Sequence, residues 1–335
     1  MSLNVLITAG SRRVPLVQAF QRALRASGGG SVVVADINPL SPTVYVADRS
    51  HAVPLSNDPS YIDAILDICR AERIGLVIPT IDDELMIFAK AADRFTERGT
   101  RVVVSPPETI ASCNDKYLTC HLLVEHGIAA AETHLPNDLP ADPEFPLFIK
   151  PRCGRGGVHA YAVRSQRELE FFVEYVPEPI VQRYLEGPEF TIDLLCSFAG
   201  EPIAVVPRER VVARAGVVDR ARTVRNAELI NLAVACARAL PFVGAINIQC
   251  RMVNGRPIVF EINPRFSGGI PLTIAAGADF PRMIVALARG RRVAPALDKF
   301  KDNLWMTNYE TSVFVPAESV AFSAALPSPA IWDVA

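Results

Sequence analysis

Phe260-Glu261-Ile262-Asn263-Pro264-Arg265 is the stretch on which the reading of this 335-residue chain turns. Along a strand, alternation puts Glu261 and Asn263 on one face and Ile262 on the other, in a core. A carboxylate and an amide oxygen side by side suit a hard cation such as Mg²⁺. Pro264 ends the ladder's hydrogen bonding and so delivers Arg265 at the rim of the sheet beside that pair, where a cation stabilises charge developing on a phosphoryl or acyl oxygen. Gln249, on the preceding strand, joins them if the register allows. A two-residue turn at Asn254-Gly255 would pair Gln249 with Phe260 and point it away from Glu261. A three-residue loop, Val253-Asn254-Gly255, instead pairs Arg256 with Met252. Asn247 then opposes Glu261 and Gln249 lies diagonal to it on the same face. The three-residue loop is the expectation.

Four further stretches lie upstream. In Lys150-Pro151-Arg152-Cys153-Gly154-Arg155-Gly156-Gly157, between two strands, glycines allow backbone N–H groups to close on phosphate oxygens, with Lys150 at the strand end reaching the same charge. The same loop also reads as a flexible hairpin with solvated arginines. In Asn114-Asp115-Lys116 a lysine enters the first turn of a helix, against the macrodipole, which favours an anionic partner for it. Val181-Gln182-Arg183-Tyr184-Leu185-Glu186-Gly187-Pro188-Glu189 is a strand, a break and another strand, a crossing where a planar base can stack. Arg208, Arg210, Arg214, Arg220, Arg222 and Arg225 cluster in a chain with no basic excess, which suggests a polyanion nearby.

The first third alternates short Val/Ile/Leu runs (5–7, 32–34, 76–78, 102–104) with helical periodicity at 15–26, 61–71 and 85–95. Strands that are apolar on both faces read as a parallel sheet between helices, with ligands at the carboxyl ends of the strands. Only Gly10 is present where a dinucleotide fingerprint requires G-x-G-x-x-G, and Arg12 and Arg13 stand where a pyrophosphate needs close backbone approach, so a nicotinamide site is disfavoured. Gly10 and Asp36 either end their strands or face a substrate.

Composition narrows the class. Lys and Arg number 34 against 36 Asp and Glu, a net charge of −2, so a general nucleic-acid binder is not expected. Seven scattered cysteines without a C-x-x-C suggest neither a disulfide framework nor a zinc cage. Gly10-Ser11-Arg12-Arg13 interrupts the first apolar run where a signal peptide would continue, and Asn231, Arg238, Pro241 and Asn247 interrupt the window 229–248. A cytoplasmic protein without a membrane partner is the expectation.

The order of these features resembles the ATP-grasp superfamily, and most closely the stand-alone proteins similar to one half of the carbamoyl phosphate synthase large subunit. The resemblance covers about Asn4 to Gly290. It implies an α/β and α+β architecture: an N-terminal Rossmann-like domain with a parallel sheet (1–112), linker helices and a small α+β lid (113–185), a C-terminal α+β domain with an antiparallel sheet and the metal site (186–315), and a tail (316–335). It implies ATP contacts for Lys116, Lys150 and Arg152, a phosphate-covering loop with Gly154, Gly156 and Gly157, an adenine lining of Gln182, Arg183, Tyr184 and Leu185, and Glu189 near the ribose. Gln249, Glu261 and Asn263 match the family's ligands for Mg²⁺ (or Mn²⁺). Arg265 matches its catalytic arginine, assisted by Lys150, and Arg208 or Arg210 falls where a phosphate-contacting cation is often found. Gln182 stands where Glu is common.

The implied activity is ATP-dependent ligation of a small carboxylate and an amine through an acyl phosphate, in a chain compatible with a homodimer. The alternatives are a nucleotide-binding regulatory or scaffold protein without turnover, and a carboxyphosphate-forming enzyme. Substrate sites are expected near Arg12, Asp36 and Glu84 and at Ser267-Gly268-Gly269.

Overall fold

Alternating apolar runs and amphipathic helices can bury both faces of a sheet only by winding around it. In the computed structural model, which describes residues 2–214 and 217–320, this happens in the first of two compact units, made of residues 2–104, 279–293 and 309–320. The chain runs β1 (Asn4–Thr8), α1 (Val14–Ala26), β2 (Val32–Asp36), α2 (Pro42–Val46), β3 (Arg49–Ala52), α3 (Tyr61–Ala71), β4 (Ile74–Ile78), α4 (Asp82–Thr96) and β5 (Arg101–Val102). The strands form one parallel sheet in the order β3-β2-β1-β4-β5, so the order reverses beside β1. Val5–Ile7, Val32–Ala35 and Leu76–Ile78 are at most 1% exposed.

Two short elements, α2 and β3, carry no apolar period and were not expected. Phe280–Ala288 (α10), grouped in the sequence with the C-terminal domain, belongs to the first unit and packs on α1.

At the strand ends of this unit, Asp36 is a brace: one oxygen accepts from the Ser11 backbone N–H at 2.8 Å and the other from that of Asn38 at 2.9 Å. Glu84, in the first turn of α4, is fully buried and accepts the Tyr61 hydroxyl at 2.7 Å. Burial pushes its carboxyl up to about 7; Thr8 and Tyr61 pull it partly back, while Asp36 and Asp83 add to the rise. The folded state therefore holds a proton that the unfolded chain has already lost. Stability falls as pH rises from about 4.5 to about 7, by on the order of 3 kcal/mol in total, and is flat above. Glu84→Gln is expected to remove this slope in denaturant titrations run across that window. An unchanged slope would show that Glu84 is not the titrating group.

The second unit, residues 105–278 and 294–308, holds α5 (Pro107–Asn114), α6 (Lys116–Glu125) and two antiparallel sheets. The smaller sheet, ordered β6-β9-β7-β8, contains β6 (Thr133–His134), β7 (Leu147–Pro151), β8 (Tyr161–Val163) and β9 (Pro179–Arg183). Helix α7 (Gln166–Tyr175) covers it, opened by a capping box in which Ser165 Oγ accepts the Glu168 N–H at 3.3 Å and Glu168 accepts the Arg164 N–H at 2.7 Å. The larger sheet, ordered β14-β13-β10-β11-β12-β15, contains β10 (Glu189–Cys196), β11 (Pro202–Arg214), β12 (Val217–Thr223), β13 (Gly244–Val253), β14 (Arg256–Asn263) and β15 (Trp305–Thr307), with α8 (Ala227–Ala239) and α9 (Ile270–Ala275).

The arginine run from 208 to 222 lies on β11 and β12, which pair antiparallel from Arg208–Thr223 to Arg214–Val217. The expected tail, 316–335, lies outside the described residues from 321 onward.

Candidate active site

The register of β13 and β14 differs from expectation in an instructive way. Val253 pairs with Arg256, so Asn254-Gly255 is a two-residue turn, with φ of 49° and 78° as a type I′ hairpin requires. The three-residue loop is therefore wrong. Pairing then runs to Cys250–Val259, where the register shifts by one residue and resumes as Gln249–Glu261, Ile248–Ile262 and Asn247–Asn263. A bulge at Phe260 thus restores the parity that the turn would have lost. Gln249 lies directly opposite Glu261, and Asn247 opposite Asn263.

The bulge has a long-range partner. Lys150, 6% exposed at the end of β7, donates to the Phe260 carbonyl at 3.2 Å and lies 5.3 Å from the Phe260 ring centroid. Burial lowers its ammonium pKa to about 8, with Glu261 and Cys120 pulling it back up and Lys116 pushing it down. Lys116, 7% exposed in the first turn of α6, donates to the Gly154 carbonyl at 2.6 Å. Two buried lysines, 34 residues apart in sequence, therefore lie within electrostatic reach of each other, and Lys150 also feels the Glu261 carboxylate.

Around Glu261 the polar face is a connected network. Asn263 Nδ2 donates to Glu261 Oε1 at 3.0 Å and to Asn247 Oδ1 at 3.3 Å. Arg265 Nη2 donates to Asn263 Oδ1 at 3.2 Å, and Asn247 Nδ2 donates to the Arg265 carbonyl at 3.1 Å. Among the described residues no three His, Cys, Asp or Glu side chains converge as a metal group; beside Glu261 stand the amide side chains of Gln249, paired across the ladder, and Asn263, whose Oδ1 accepts from Arg265. A carboxylate and two amide oxygens are all hard donors and fit a divalent cation such as Mg²⁺.

The remaining expected residues divide. Gln182, 3% exposed, donates to Thr133 Oγ1 at 2.9 Å and to Cys120 Sγ at 3.4 Å, two neighbours the sequence reading had not named. Thr133 spends its own hydrogen on the Ala131 carbonyl at 2.7 Å, so its hydroxyl oxygen is the acceptor and the Gln182 amide is oriented. The Tyr184 ring lies 6.4 Å from that of Phe148, while the Arg183 side chain is exposed and Leu185 half-buried. Gly154, Gly156 and Gly157 have φ of 117°, 74° and 69°, and a Cβ on any of them would meet nothing within 4 Å. Backbone conformation alone demands glycine there.

Glu189 is ion-paired with Arg210, whose Nε lies 2.9 Å from one oxygen, and accepts Arg251 Nη2 at 2.8 Å on the other. Arg208 is not an accessible cation. It is 1% exposed, paired through Nε at 2.8 Å and Nη2 at 3.0 Å to Asp193, itself 1% exposed, and Nη2 also donates to Ser267 Oγ at 2.9 Å. A lone acid in the apolar run Ile192-Asp193-Leu194 was the signal for this partner.

Residues 175–312 match a family profile described as "ATP-grasp in the biosynthetic pathway with Ter operon", and residues 5–103 match a PylC-like N-terminal domain. The structure of the Campylobacter jejuni biotin carboxylase β,γ-ATP complex superposes with a TM-score of 0.72 at 14% identity, over 90% of this chain and 74% of that one. The fold is ATP-grasp. The L-amino acid ligase from Bacillus licheniformis is similar to this chain as well, with a TM-score of 0.69 at 19% identity, covering 85% of this chain and 74% of its own. In sequence, the carbamoyl phosphate synthase large chain of Thermoanaerobacter sp. (strain X514) is 25% identical over an alignment of 326 positions that covers 89% of this chain and 29% of that protein. The chain thus spans under a third of that curated relative. No helix among its described residues is long and apolar enough to cross a membrane.

Proposed function

We propose that this chain is an ATP- and Mg²⁺-dependent ligase that joins a small carboxylate to an amine through an acyl phosphate, releasing ADP and phosphate. The observation that carries the reading is that buried Lys150, bonded to the Phe260 carbonyl and acted on by the charges of Glu261 and buried Lys116, stands at the strand that bears the connected Glu261–Asn263–Arg265 face. Three cations, Lys116, Lys150 and Arg265, against the one carboxylate of Glu261 leave a local excess of positive charge, and a polyphosphate would supply what is missing.

Lys150 and Lys116 would hold the phosphates, with the 152–157 loop above them and Gln182, Tyr184 and Leu185 along the base. Gln249, Glu261 and Asn263 would hold Mg²⁺, which neutralises charge on the β- and γ-phosphates when bound. Arg265, steadied by Asn263, would stabilise the negative charge that develops as the substrate carboxylate attacks. Once the acyl phosphate has formed, the amine displaces phosphate from it. Closure of the small sheet over the site keeps water from that intermediate. Arg210 and Glu189 are coupled to each other, so any contact of theirs with ribose or phosphate is shared between them.

A test measures phosphate release from Mg-ATP with amino acids, carboxylic acids and bicarbonate, singly and in pairs, identifying the nucleotide product. ADP and phosphate formed only with one acid–amine pair is the expected result. Release with bicarbonate alone would favour the carboxyphosphate alternative. AMP with pyrophosphate would overturn the reading, and Mg-ATP binding without turnover across the panel would favour the non-catalytic binder.

A further inference from the structure

Asp115 has no part in the proposed chemistry, yet both of its oxygens are committed. Oδ1 accepts the Tyr117 N–H at 3.0 Å and the Leu118 N–H at 3.1 Å, capping α6. Oδ2 accepts Arg152 Nε at 2.7 Å and lies 2.6 Å from Nη2 of the same guanidinium. The Arg152 guanidinium also lies 5.3 Å from the Tyr117 ring centroid.

The backbone repeats the connection. The Lys116 N–H donates to the Arg152 carbonyl at 3.1 Å, and the Arg152 N–H donates to the Glu178 carbonyl at 2.9 Å. Two residues further on, Gly154 accepts Lys116 Nζ. The start of the glycine loop is therefore tied to the first turn of α6 by side chain and main chain together. Its glycines at 154, 156 and 157 have no Cβ contacts to hold them. Such a loop loses conformational freedom when it closes on a ligand, and a tether at its root lowers that cost in advance.

We propose that Asp115 is a positioning residue which, through Arg152, fixes the root of the 152–157 loop so that its N–H groups and Lys116 are presented together to nucleotide phosphates. Arg152 is then an anchor and not the ATP contact that the family resemblance implies. The proposal rests on the nucleotide reading above.

Asparagine caps a helix as well as aspartate does but cannot form the ion pair, so Asp115→Asn separates the two roles. Its melting temperature is expected to stay within about 2 °C of wild type. Its Kd for Mg-ATP, measured by calorimetry, is expected to rise about fivefold, in keeping with a half-exposed, doubly bonded ion pair. Trypsin should cut faster after Arg155. Arg152→Met should weaken binding equally, and the double variant no further. Asp115→Ala, which loses the cap too, is the control that lowers stability.

Wild-type affinity in Asp115→Asn, or additive losses in the double variant, would overturn the positioning role while leaving nucleotide binding intact. Failure of the wild-type chain to bind Mg-ATP would overturn both.

Discussion

Asp193→Ala is expected to cost about 3–5 kcal/mol of folding free energy, because it leaves the Arg208 guanidinium buried without its counter-charge. Both side chains are 1% exposed, and the pair is bidentate. The clasp extends beyond β10 and β11. Arg208 also binds Ser267, two residues past Arg265, and the Thr273 hydroxyl donates to Asp193 from α9. The segment after β14 is thus pinned to the sheet at two points.

Gly269 belongs to the same arrangement. A Cβ there would sit 2.2 Å from Arg208 Nη1, 2.9 Å from its Cζ and 2.7 Å from a Val218 methyl. Because Arg208 is held by Asp193 and Ser267, it cannot step aside without breaking those bonds. Gly269→Ala should therefore reproduce part of the Asp193→Ala loss. Replacing the pair with apolar residues of similar volume, Asp193→Leu with Arg208→Met, should recover most of it. Urea denaturation followed by circular dichroism measures all three. A loss below about 1 kcal/mol for Asp193→Ala would show that the buried pair does not hold this segment.

Turnover in Glu261→Gln is expected to fall by roughly two to three orders of magnitude, while Mg-ATP affinity changes only modestly. Glu261 is the one charged oxygen donor in the proposed metal set. Glutamine keeps the shape of the side chain and an oxygen to accept from Asn263 Nδ2. The loss would therefore be one of charge. Glu261 also favours the charged form of Lys150, so the variant should lower the Lys150 pKa further. Steady-state phosphate release, with nucleotide affinity by calorimetry, separates the two effects. A full-rate Glu261→Gln enzyme would remove the metal assignment.

Much of the architecture was legible because its driving force is local periodicity. Helix 61–71 was bounded correctly, and the five-strand parallel sheet followed from apolar runs buried on both faces, apart from β3. Two kinds of element were not legible. Arg49–Ala52 and the outer part of Pro202–Arg214 are too polar to read as strands; they pair because a neighbouring strand edge offers its hydrogen bonds. Phe280–Ala288 showed its helical period but not which unit it would join, since an apolar stripe says how much must be buried and not against what.

For the candidate site, the chain alone determined the residue types and their alternation: Glu261 and Asn263 on one face, Gln249 on the strand before, and glycines beside Lys150. Tertiary structure alone decided how they meet. Asn254-Gly255 made the tight turn its own preference favours, which by itself would have turned Gln249 away. The bulge at Phe260 reversed that, and its support comes from afar: Lys150 takes the Phe260 carbonyl, and Val259 bonds through its N–H to Ala129 and through its carbonyl to Ala131. A bulge leaves a residue out of the ladder, and that cost is offset only where distant parts of the chain bring partners to it. Arg208 shows the same limit. In the sequence it is one of six arginines suggesting a surface for polyanions, and only the packed sheet, with Asp193 on the neighbouring strand and Gly269 against its guanidinium, buries it.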